Sequence, residues 1–120
     1  MKLVITAQGQ TLNDPVDLRF GRTKYLILMD TETGTYSIHN NEVNLNTSQG
    51  AGIQTAGRIS DLGAEAVITG HIGPNAFKTL TAVGVKAYQT GPRSVQGTVE
   101  LFKKGQLQEF SSANVEGHWS

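Results

Sequence analysis

The sequence predicts a single α/β domain built on a mixed sheet, and three observations carry that expectation. Apolar runs of strand length, two of them joined by a hairpin turn, fill the first half. In the second half such runs alternate with segments of helical period, which favours parallel pairing with helices on both faces. Finally, fourteen glycines against three prolines punctuate the chain at the junctions between these segments.

Leu3-Val4-Ile5 is a short apolar run that stops at Gly9 and reads as a buried strand. Asn13-Asp14-Pro15 marks a turn, and Phe20-Gly21-Arg22 closes a polar, irregular loop. Tyr25 to Met29 suits a central strand. Asp30-Thr31-Glu32-Thr33-Gly34 has turn chemistry, and Thr35 to His39 alternates as a third strand, so a hairpin joins the two. Asn40 to Gln49 is polar, asparagine-rich and aperiodic, and reads as a loop.

Ile53, Ala56, Ile59 and Leu62 recur at helical spacing, with Gly63 where a C-terminal cap falls. Ala64 to Thr69 is a compact buried strand ending at Gly70. Pro74 suits the first turn of a helix whose stripe is Phe77, Leu80 and Val83, and Gly84 ends it. Val85 to Tyr88 is a fourth buried run, Gly91-Pro92 a turn, and Val95, Val99 and Phe102 mark a last helix stopping near Gly105. Residues 1–105 therefore form the expected domain, and 106–120 a polar tail, with flexibility as one expectation for it, that carries His118 and Trp119.

The ten basic residues cancel the ten acidic ones, so no long-range field favours nucleic acid or a membrane surface. The chain has no cysteine, which excludes disulfides and any thiolate-bound cluster or zinc. The opening residues are too short and too soon polar for a signal peptide, and no apolar run approaches the roughly 20 residues of a membrane span. A cytoplasmic location is expected.

In a sheet of this kind, ligands sit outside the carboxyl ends of the parallel strands. Two expected helix starts reach that edge, at Ser48-Gln49-Gly50-Ala51-Gly52 and at Gly70-His71-Ile72-Gly73-Pro74-Asn75. Helix starts present unpaired N–H groups to anions, and glycine lets a ligand approach the backbone. Neither stretch matches a phosphate-loop or dinucleotide fingerprint, and on spacing alone tight strand-to-helix turns explain these glycines better than a ligand rim does. His71, between a buried strand and a helix, can ligate a metal or donate to an anion, or be a loop histidine without a role. Arg19, Arg22 and Lys24 bracket Phe20-Gly21 either as a solvated loop or as a basic lip drawing an anion to the rim. Asp14, Asp17, Asp30 and Glu32 raise a metal-dependent nuclease, but they sit at ordinary turn positions and read as solvated.

Three segments together carry a resemblance: Asp17-Leu18-Arg19-Phe20-Gly21-Arg22, Gly50-Ala51-Gly52-Ile53-Gln54-Thr55-Ala56, and Thr69-Gly70-His71-Ile72-Gly73-Pro74-Asn75-Ala76-Phe77. In order and spacing they resemble the dinitrogenase iron–molybdenum cofactor biosynthesis family, which includes NifX, NafY and the C-terminal domain of NifB. The resemblance implies a ribonuclease-H-like, three-layer α/β/α sandwich with a mixed five-stranded sheet in the order 3-2-1-4-5. It implies a non-catalytic carrier that binds an iron–sulfur or iron–molybdenum cofactor, or its precursor, transiently among cofactor-assembly proteins. His71 then becomes the expected cluster ligand, within a rim of Gly70, Gly73, Asn75, Gly50, Gly52, Arg19 and Arg22. A cysteine-free chain fits carriage of a finished anionic cluster better than its construction. The radical-enzyme domain that accompanies this module in NifB is not part of these 120 residues. The other expectation is a small-anion or protein-partner binding module unrelated to nitrogenase, and in either case a monomer or weak homodimer.

Overall fold

In the computed structural model, residues 1–42 and 50–115 are described. The strands are β1 (Lys2–Ala7), β2 (Tyr25–Asp30), β3 (Tyr36–Asn40), β4 (Ala66–Thr69), β5 (Lys86–Gln89) and β6 (Gln108–Glu109). The helices are α1 (Ala51–Asp61), α2 (Pro74–Ala82) and α3 (Val95–Lys103). They form one sheet in the order β3-β2-β1-β4-β5-β6. The expected order 3-2-1-4-5 is present, and a sixth strand extends it. Gln108 and Glu109 are both exposed, so this strand has no hydrophobic alternation by which sequence could betray it.

Burial follows position in the sheet. β1 and β4 are central, and every residue of Leu3–Ala7 and Ala66–Thr69 is buried, which is why they read as unbroken apolar runs. β1 pairs antiparallel with β2, Leu3 opposite Met29 and Ile5 opposite Ile27. It pairs parallel with β4, Leu3 opposite Ala66 and Ile5 opposite Ile68. β3 at the edge keeps only His39 partly covered.

Alternate residues supply two cores. On one face Val4, Leu26, Val67 and Ala87 meet Ala56 and Ile59 of α1 and Ala76 and Leu80 of α2. On the other, Leu3, Ile5, Ile27 and Ile68 meet Val95 and Val99 of α3. These are the three layers. The stripes shift from the expected ones at two positions. Ile53 and Val83 are each 45% exposed, and α1 instead turns Ala51, Gly52, Thr55, Ala56 and Ile59 inward. Small residues there let α1 lie close to α2, and a count of large apolar residues overlooks them.

All three helices end as expected on glycine in the left-handed region: Gly63, Gly84 and Gly105 have φ of 77°, 76° and 69°. The next residue's N–H closes each end, as Ala64 does onto Ile59 at 3.3 Å and Val85 onto Leu80 at 2.9 Å. The turn out of each helix is thus fixed; β4 and β5 start from the same edge, whereas β6 runs antiparallel to β5.

After Gly105 the described chain does not leave the domain. It adds β6 beside β5, buries Phe110 to 7% exposure, and brings Asn114 back to the β4–α2 connection. The loop expected at Asn40 to Gln49 lies mostly outside the described residues, as do Ser48, Gln49, His118 and Trp119.

Candidate functional site

β1, β3, β4 and β5 run in one direction, so their carboxyl ends, and the starts of α1, α2 and α3, share one edge of the sheet. The segment Asp17–Thr23 is laid across that edge. Asp17 N–H donates to the Thr6 carbonyl at 2.9 Å, His71 N–H to the Leu18 carbonyl at 2.7 Å, and Phe20 N–H to the His71 carbonyl at 3.2 Å. Thr55 of α1 donates its hydroxyl to the Gly21 carbonyl at 3.2 Å. Phe20 anchors the segment with its side chain fully buried among Ala56, Ile72 and Ala76. A segment that reads as an irregular loop therefore acts as a short cross-brace.

Gly70 has its reason here. A β-carbon at that position would come within 2.6 Å and 2.8 Å of Leu18 side-chain atoms, so only glycine lets the cross-brace lie this close to β4. Gly50, at φ 77°, is glycine because it caps α1 in the left-handed region; nothing crowds it. Gly73 caps α2 in extended geometry ahead of Pro74.

A cavity of about 380 Å³ opens where β4 and β5 end. Leu18, Gly70, His71, Gln89, Thr90, Gly91, Pro92, Arg93, Gln106, Leu107 and Gln108 line it. Among the described residues one cation, one imidazole, three primary amides and a hydroxyl line this space, and no carboxylate does. Such a lining offers many donors and no fixed negative charge, which suits an anion with acceptor atoms on its surface.

Of the residues expected at the site, His71 and Gly70 line this cavity, and the Arg19 backbone pairs alongside His71 as a parallel bridge. Gly50, Gly52, Gly73, Asn75 and Arg22 lie at the same edge and are not among its lining residues. The hollow lies between the end of β4 and the β5–α3 connection, not between the starts of α1 and α2. The difference follows from the strand order, which puts β5 beside β4 and carries α3 to the opposite face from α1.

Sequence reasoning overlooked three features. Gln89 to Arg93, of which the sequence marks only the Gly91-Pro92 turn, line the same cavity as His71. Asn114 reaches back to the His71 loop: its Oδ1 accepts from Ile72 N–H at 2.7 Å and its Nδ2 donates to the Gly70 carbonyl at 3.1 Å. An exposed asparagine in a polar tail carries no sequence signal for that. Asp17, expected to be solvated, is 2% exposed. Its Oδ1 accepts from Arg19 N–H at 3.1 Å and lies 3.4 Å from Arg19 Nε, while Oδ2 has no hydrogen-bond partner among the described residues. Asp17 thus holds Arg19 at the mouth of the rim.

The carboxylates do not converge as a nuclease centre requires. Asp30 lies opposite Lys2 at one end of β1 and Asp17 beside Thr6 at the other, while Asp14 accepts from Thr11 within its own turn at 2.9 Å. Among the described residues, no three acidic or histidine side chains gather to hold a metal ion. Nor is any helix among them long and apolar enough to cross a membrane.

Comparisons with known proteins agree with this architecture. The family model described as dinitrogenase iron-molybdenum cofactor matches residues 1–105. The apo form of the orange protein from Desulfovibrio gigas is similar over 95% of this chain and 96% of its own, with 34% identity and a TM-score of 0.91. A NifB-like protein from Thermotoga is 33% identical with a TM-score of 0.84, covering 97% of this chain and 98% of that one. An uncharacterized protein of Methanocaldococcus jannaschii is 29% identical over 102 residues, 82% of this chain and 85% of that protein.

Proposed function

Because the chain belongs to the dinitrogenase iron–molybdenum cofactor family, we propose that it is a non-catalytic carrier that takes up an anionic metallocluster at the His71 cavity and passes it on. The cargo is an iron–sulfur or iron–molybdenum type cofactor or a precursor, and cofactor-assembly proteins are its partners. The observation that carries this reading is the donor-rich lining, with Arg93, His71 and three glutamines and no carboxylate among eleven residues. A carboxylate would repel an anionic cluster at contact distance, and none has to be overcome here. Kinship adds support, since the similar structure from Desulfovibrio gigas is that of the apo form of the orange protein.

With no cysteine available, the cluster must arrive assembled and be held by imidazole, guanidinium, amide and backbone groups. Arg19, half exposed and paired with Asp17, lies next to His71 along the backbone and offers further guanidinium donors at the rim. Such a grip is weaker than thiolate ligation, and a carrier needs a grip it can release.

The test is anaerobic mixing of the ligand-free protein with a preformed iron–sulfur cluster. The wild type is expected to gain the cluster's visible absorbance after desalting, and His71→Ala to retain at least tenfold less. No uptake by the wild type ends this reading. Phosphate shifting the His71 and Gln89 amide resonances in its place would favour a small-anion module.

A further inference from the structure

We infer that Asn114 fixes the tautomer of the cavity-lining His71 with its proton on Nε2, which suits the ring to hydrogen-bond donation and not to metal ligation. The orientation of the Asn114 amide is decided by backbone groups whose roles cannot be exchanged. Ile72 N–H can only donate, and it meets Oδ1 at 2.7 Å; the Gly70 carbonyl can only accept, and it meets Nδ2 at 3.1 Å. Asn114 N–H also donates to the Ile72 carbonyl at 3.1 Å, so the residue is held by main chain and side chain together. With the amide so placed, Nδ2 lies 3.4 Å from His71 Nδ1. An amide NH2 has only hydrogens to offer, so Nδ1 meets it with its lone pair. A neutral imidazole whose Nδ1 is unprotonated carries its proton on Nε2.

The consequence is chemical. Coordination of a metal through Nε2 would need that proton moved to Nδ1, setting N–H against N–H at Asn114. Coordination through Nδ1 would need Asn114 displaced. The loop has little freedom to avoid the choice, because His71 N–H and carbonyl are both bonded to the Asp17–Thr23 cross-brace. His71 is therefore matched to acceptor atoms on the ligand's surface, such as the sulfide or oxo face of a cluster, and Asn114 is its positioning residue. What occupies the cavity rests on the carrier reading above; the tautomer is a property of the ligand-free protein.

Long-range proton–nitrogen correlation spectra of the full ligand-free chain test this, recorded at about pH 8, above the usual histidine range. His71→Gln identifies the ring signals among the three histidines. The wild type is expected in the Nε2–H form. Asn114→Asp, which replaces the donor by an acceptor, is expected to shift His71 to the Nδ1–H form or to the imidazolium. Asn114→Ala is expected to average the two tautomers, and it keeps the test alive if the aspartate variant folds poorly. A wild type in the Nδ1–H form, or a tautomer that ignores both variants, overturns the inference. On loading with preformed cluster, the Nε2 proton should persist; its loss marks coordination and overturns the donor role. If no cluster is taken up, the carrier reading falls while the ligand-free spectra still decide the tautomer.

Discussion

The two edges of the sheet are both polar, yet they are put together differently. At the β2–β3 hairpin the polar groups satisfy one another locally: Asp30 Oδ1 accepts from Glu32 N–H at 2.9 Å and Thr33 N–H at 3.4 Å, and Gly34 N–H returns to the Asp30 carbonyl at 2.8 Å. At the His71 edge the partners come from far along the chain, Leu18 and Phe20 on one side and Asn114 on the other. The turn draws mostly on its own residues, with the Met1 carbonyl accepting from Thr31 N–H at 2.9 Å. The His71 edge gathers three separate segments beside one cavity, and this convergence marks a site more reliably than polarity does.

Removing the anchor of the cross-brace should break the contrast most. Phe20→Ala is expected to destabilise the protein by about 3–5 kcal/mol in denaturant unfolding, the usual cost of deleting a fully buried phenyl group. It should also broaden the His71 amide resonance, and an unaltered His71 signal would show that the brace does not support the site. Gly70→Ala comes next, at about 1–3 kcal/mol, because its β-carbon would displace Leu18. Gly34→Ala in the hairpin makes a matched control. It meets no neighbour and costs only the left-handed strain, about 1–2 kcal/mol, with no change at His71.

The smallest effect lies in the hairpin carboxylate. The Glu32 N–H holds Asp30 below the ordinary carboxylate range, against an opposing desolvation and with smaller help from Thr33 N–H, the N-terminus and Lys2. A depressed folded-state pKa contributes stability above the unfolded value, and that contribution is lost as the pH falls below about 4. Asp30→Asn should flatten the acid limb of the stability curve slightly, read by thermal melts, and leave His71 resonances in place.

Much of the fold is legible in the sequence because local chemistry dictates it. Leu3-Val4-Ile5 and Ala66 to Thr69 are apolar without a break because both faces of their strands are covered. Gly63, Gly84 and Gly105 announce three helix ends because few other residues enter the left-handed region cheaply. β6 escapes such reading, since a two-residue exposed strand is defined by its neighbour β5 and not by its own pattern. The site is legible in part. His71 and Gly70 stand out from their place between a buried strand and a helix. Asn114, Gln106 and the burial of Asp17 depend on which segments meet in space, and no local pattern records that meeting.

The backward reach of Asn114 also bears on when the molecule becomes competent. Synthesis runs from the amino end, and a domain folds as its segments emerge. The braced β1–β4 region is available early, but the residue that orients the imidazole emerges forty-three positions after it. A chain still tethered to the ribosome short of that point would present a His71 loop without the Asn114 hydrogen bonds, and the edge is complete only once β6 and its strap are in place.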